Sequence, residues 1–164
     1  GKTLIWGGGR RRGEIQADEA HAEAVDFMGQ LCQRISDHGT VFCFEPLGPD
    51  SSDFINSALE AKAIADEVDH PAMAIQLDAK ALFQNDEVNA ALFETVADQL
   101  VHFHVNEPDL GVIGTSGKID HATMGSLLRG IGYKDYVSIE QRQLEGGLIE
   151  NIAKSVEVTR SSYG

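Results

Sequence analysis

The chain has 164 residues, 42% of them hydrophobic, which is enough for one domain with a real core. No apolar run approaches the roughly 20 residues needed to span a bilayer, so no membrane partner is expected. A net charge of −13 repels phosphate backbones and argues against nucleic acid as a partner.

Two cysteines, Cys32 and Cys43, have no metal-motif spacing, and no charged-then-apolar leader precedes the first apolar run. Both features fit a reduced, cytoplasmic setting. Thr3 to Trp6 reads as a buried strand that leaves through Gly7, Gly8 and Gly9 into a basic loop, Arg10 to Arg12. From Ala17 to Ile35 the apolar residues Ala20, Ala24, Phe27, Met28, Leu31 and Ile35 recur at helical spacing, and Gly39 closes the segment. Val41 to Phe44 is a second continuous apolar run, ended by Glu45 and Pro46. A carboxylate straight after four buried-looking residues is unusual, because a lone buried charge is costly. Ser57 with Glu60 matches a capping box, and a helix is expected from there to about Val68.

Met73 to Leu77 is a third short run and ends at Asp78. The spacing of Val88, Ala91, Leu92, Thr95 and Val96 predicts one helix, capped by Asn85 or Asp86. Leu100 to Val105 is the next strand. His102 and His104 sit at alternate positions and therefore on one face. Such a pair suits a metal, and it suits equally a buried, hydrogen-bonded place in the core. Asn106 to Asp120 is a loop longer than most connections, a length more common in functional loops. Asp120 is a plausible cap for a helix carrying Met124, Leu127, Leu128 and Ile131. Tyr136 to Ile139 is the last strand, ending at Glu140, and a final helix carries Leu148, Ile152 and Val156.

Five strand–helix units in series, each strand a buried run, predict an α/β fold with a parallel sheet covered by helices. The last four strands end at Glu45, Asp78, His104 and Glu140, each able to ligate a divalent cation. Active sites of parallel barrels lie at that carboxyl end, with ligands drawn from several strands. The repetition therefore points to a metal site.

At those same positions the chain resembles the xylose-isomerase-like TIM-barrel superfamily of sugar isomerases and epimerases. The likeness is carried by EPLG at Glu45, IQLDA around Asp78, HFHVNEPD around His104 and GYKDYVSIE ending at Glu140. Within the superfamily it runs to ketohexose 3-epimerases, hydroxypyruvate isomerase and inosose-processing enzymes. The resemblance implies a partial (β/α)8 barrel made of the last five units of eight. It also implies one divalent ion (Mn, Mg, Co or Zn) held by Glu45, Asp78, His104 and Glu140. Glu45 and Glu140 would also move the proton beside a carbonyl through a metal-stabilised enediolate of a small sugar-like substrate.

Three departures accompany the likeness. Ala81 stands where many relatives have a histidine, and Leu110 where the epimerases have an arginine. Lys80 and Arg12 are candidates to bind an anionic substrate group instead, Glu107 to meet a hydroxyl or orient a ligand, and Asn106 and His102 to support the ligands. For His102, core packing is an equal reading. Five units rather than eight suggest a single domain, residues 1–164, truncated at its N-terminus. Its open sheet edges are expected to be covered by a second copy of the chain. Two alternatives to the epimerase reading are a self-associating metal-binding half-barrel without turnover and an inosose-type dehydratase.

Overall fold

A computed structural model describes all 164 residues. Five strands form one sheet in the order β1 (Thr3–Trp6), β2 (Val41–Phe44), β3 (Met73–Asp78), β4 (Leu100–Val105), β5 (Tyr136–Ile139). Every neighbouring pair is parallel. The sheet curls into part of a barrel, with its helices on the outside.

Period-two alternation gives each strand two unlike faces. On β3, Ile75 and Leu77 join the apolar core, while Gln76 and Asp78 turn to the other face. On β4, Phe103 and Val105 pack outward, and His102 and His104 meet edge to face with ring centres 5.3 Å apart. The core fills the space between these outward side chains and the helices, with Met28 and Cys32 of α1 (Ala17–Arg34) against Ile64 and Ala65 of α2 (Ala58–Val68). The capping box at α2 forms as expected, Ser57 accepting from the Glu60 amide and the Glu60 carboxylate from the Ser57 amide.

The single helix expected between β3 and β4 is two helices, α3 (Ala79–Gln84) and α4 (Ala90–Val96). Asn85 closes α3 rather than opening a helix, and Asp86 takes a left-handed backbone with φ of 55°, a conformation that Asp tolerates. The caps are Asp78 for α3, accepting the Ala81 amide at 2.8 Å, and Asn89 for α4, accepting the Leu92 amide at 3.0 Å. The last residue of β3 thus starts the next helix directly. Asp120 caps α5 (His121–Gly130) as the sequence suggests, and α6 (Leu148–Tyr163) follows β5.

A continuous buried run describes β3, whereas β2 and β4 are buried at only half of their positions and the edges are more open still. β3 is buried at every position, whereas Leu4 of β1 and Tyr136 of β5 are 49% and 67% exposed. Each edge strand has a neighbour on one side only. No helix is long and apolar enough to cross a membrane.

Candidate metal centre

The four strand-end residues come together. Glu45, Asp78, His104 and Glu140 each offer a ligand atom, and these atoms all lie within 4.8 Å of one another. The His104 ring donates from Nδ1 to Glu45 Oε1 at 2.9 Å, and lies 3.9 Å from both Asp78 Oδ2 and Glu140 Oε2. Glu45 and Asp78 are buried, and Glu140, just past the end of an edge strand, is half-exposed. An open cavity of about 220 Å³ faces the three carboxylates, lined also by Lys80, Ala81, Asn106 and Leu110.

Each candidate ligand is held by its surroundings. Gln76 donates from Nε2 to Glu45 Oε1 at 3.0 Å. Gly7 leaves the space that the Glu45 carboxylate fills, since a Cβ there would overlap Oε2. Asn106 donates from Nδ2 to Asp78 at 2.5 Å and to Glu140 at 2.7 Å. Arg10, buried in the β1–α1 loop, donates to the carbonyls of Trp6, Gly7, Glu45 and Ile55, tying the ends of β1 and β2 together.

Three carboxylates crowded beside one imidazole have a clear electrostatic signature. Burial, then the charges of Glu45 and Glu140, push the Asp78 carboxyl up to about 7. Burial alone would draw His104 down, but the Glu45 hydrogen bond and the three carboxylate charges outweigh it and raise the imidazole above its usual value. Burial likewise works against Glu45 as an anion. His104, Gln76 and Arg10 overcome it and hold that carboxyl below the ordinary range. Such a cluster is short of positive charge, and its oxygen and nitrogen donors are those that suit Mg, Mn, Co or Zn. The residues therefore fit a divalent ion.

The other residues offered by the sequence divide sharply. Lys80 lines the cavity beside Asp78, and its side chain has no ion-pair partner. Arg12 lies outside it, its guanidinium donating to the Ile15 carbonyl and its amide to Asp53. His102 packs beneath His104 with its Nδ1 buried and unpartnered. Glu107 is fully buried away from the cavity. Its Oε1 accepts from the Gly114 amide at 2.6 Å and from His121 Nε2 at 2.9 Å, and its Oε2 from the Ser116 hydroxyl. Two residues escaped sequence reasoning. Arg10 could not be told from Arg11 and Arg12 before its burial was seen. His121 carried one weak signal, a histidine directly after the Asp120 cap.

A parallel sheet curled into part of a barrel, with ligand-type side chains at the carboxyl ends of four successive strands, is the active face of a TIM-barrel protein. A profile of the xylose isomerase-like TIM barrel family matches residues 1–161, and the chain belongs to that family. It is similar to the L-ribulose 3-epimerase of Methylomonas sp. (strain DH-1), 27% identical over 122 residues, or 74% of this chain and 42% of that protein. It is also similar to the D-psicose 3-epimerase of Ruminiclostridium cellulolyticum, 30% identical over 140 residues, or 85% of this chain and 45% of that protein. In structure it superposes on a D-allulose 3-epimerase from Methylomonas sp. with a TM-score of 0.87 at 22% identity, covering 99% of this chain and 63% of that one. The chain spans less than half the length of the curated relatives it matches.

Proposed function

We propose that this chain carries the metal-binding and proton-transferring part of a divalent-metal-dependent sugar isomerase or epimerase. The observation that carries this reading is the convergence of Glu45, Asp78, His104 and Glu140 within 4.8 Å. A divalent ion bound by these four would polarise a substrate carbonyl and make the neighbouring C–H more acidic.

The chain's own groups supply the remaining chemistry. Glu45 and Glu140 reach the cavity from β2 and from the end of β5, with the residues of β3 and β4 between them. One carboxylate can take the proton from one face of the substrate while the other returns it to the opposite face, which inverts the carbon. One carboxylate shuttling the proton between adjacent carbons would isomerise instead. Loss of a β-hydroxyl in place of reprotonation would make the same site a dehydratase.

The substrate is a small sugar or sugar-like hydroxy-carbonyl compound, in keeping with the ketose epimerases the chain resembles. The cavity wall is apolar at Ala81 and Leu110, and Lys80 is the only cation lining it. With a divalent ion offsetting Glu45, Asp78 and Glu140, Lys80 would be the group left to meet an anionic end of the substrate. A second reading, a self-associating half-barrel that binds metal without turnover, is favoured by the exposed sheet edges and by Leu148, Ile149 and Ile152 of α6, which are 46%, 73% and 48% exposed.

One experiment separates the readings. The chain is loaded in turn with Mn, Mg, Co and Zn and incubated in deuterated water with a panel of ketoses and hydroxy-ketoacids. NMR showing deuterium entering beside the carbonyl supports the enzyme. Tight metal binding with no exchange on any substrate, together with a dimer in sedimentation, supports the second reading.

A further inference from the structure

We propose that Asn106 is a positioning residue that sets the separation of the Asp78 and Glu140 carboxylates, and that the buried Glu107–His121–Tyr163 line holds it there from the C-terminal helix. The inference rests on the metal reading above and assigns roles to residues outside the four proposed ligands.

The orientation of the Asn106 amide follows from its partners. Its Oδ1 accepts the Lys80 backbone N–H at 2.9 Å, so its Nδ2 faces the two carboxylates, donating at 2.5 and 2.7 Å. The flipped amide would set an oxygen against two anions and leave the Lys80 amide without an acceptor. One nitrogen thus bridges a buried ligand on β3 and a half-exposed ligand after β5, two strands separated by β4. Glu140 has no other side-chain hydrogen bond, so Asn106 is what ties it to the centre.

Asn106 is itself 1% exposed, and its neighbour Glu107 has both oxygens occupied by donors within the loop and by His121. The other ring nitrogen of His121 lies 2.8 Å from the Tyr163 hydroxyl, near the end of α6. The same loop is pinned a second time to α6, where Ser155 Oγ accepts the Ile113 amide at 3.0 Å. Close packing fixes the far end. A Cβ at Gly125 of α5 would collide with the Ser162 carbonyl, and Arg129 donates to that carbonyl at 2.8 Å. The first residue of the loop is therefore held by a helix that ends one residue before the end of this chain.

The test uses Mn²⁺ on the full chain, with affinity from titration calorimetry and the ligand field from the EPR spectrum of the bound ion. Asn106→Ala is expected to weaken Mn²⁺ binding about 10- to 100-fold, the range for losing an outer partner of a ligand, and to change the spectrum. Tyr163→Phe, which removes one hydroxyl, should shift both readouts in the same direction by less. If the parent chain binds Mn²⁺ and Asn106→Ala binds it within twofold with an unchanged spectrum, the inference is overturned while the metal reading stands. If Tyr163→Phe lowers the melting temperature but leaves both readouts at parent values, the anchoring half is overturned. A parent chain that takes up no Mn²⁺ overturns the metal reading and this inference with it.

Discussion

His104 and Glu45 meet at 2.9 Å, and so do His121 and Glu107, at the same carboxyl end of the sheet. Both carboxylates are buried, His104 pairing through Nδ1 and His121 through Nε2. Their surroundings differ. The Glu107 pair is enclosed by donors, with the Gly114 amide and Ser116 hydroxyl on the carboxylate and the Tyr163 hydroxyl beside the ring. The Glu45 pair faces a cavity and two further carboxylates, Asp78 and Glu140, within reach of the same ring nitrogen. A closed pair whose carboxylate oxygens are all taken by donors locks a fold, whereas an open pair beside two further carboxylates invites a cation.

The sharpest way to break that contrast is to remove a ligand. His104→Ala or Asp78→Ala should weaken divalent-metal binding by more than the roughly 100-fold that loss of an outer partner costs, with calorimetry as the readout. The complementary change at the closed pair should act on stability instead. His121→Phe leaves the Glu107 side chain short of one hydrogen-bond donor in the interior, and the metal-free protein should lose about 1–3 kcal/mol in urea unfolding.

The same unfolding experiment on Glu140→Gln should go the other way. It relieves repulsion while a side-chain oxygen can still accept from Asn106, and the metal-free protein should gain about 0.5–1 kcal/mol. A loss of stability there would show that the cluster is not charge-frustrated.

pH sharpens the comparison further. The folded Asp78 carboxyl lies near 7, above its unfolded value of about 3.9, so it takes up its proton more readily in the folded state. Its contribution to stability is therefore full at acid pH and is lost as pH rises through 7. His104, also raised, adds in the same direction above its unfolded value of about 6.5. In chelator, melting temperature should fall between pH 5 and pH 8 through these two groups. With saturating Mn²⁺ the trend should reverse, because the ion competes with those protons and binds best when both are gone. The smallest effect is expected at Lys80. Lys80→Met should lower kcat/KM for an anionic hydroxy-carbonyl substrate about tenfold or less, with little change for a neutral one.

Amino-acid pattern alone determined the five parallel strands and the four residues that converge at their ends. A charged residue directly after a short apolar run is conspicuous, and four such endings in succession point to one place in a parallel sheet. The Ser57 and Asp120 caps were legible for the same reason, being local chemistry a few residues long. Asp78 was legible as a candidate ligand but not as the cap of α3, because a strand-final carboxylate gives no sign that a helix starts on the next residue. What only the tertiary structure decided was which polar groups face the cavity. Arg10 rather than Arg12 entered the interior, Glu107 turned to His121, and Asn106 joined two carboxylates from different strands. Those choices depend on partners 14 to 45 residues away, through contacts that exist once the sheet has curled and that leave no periodicity in the chain.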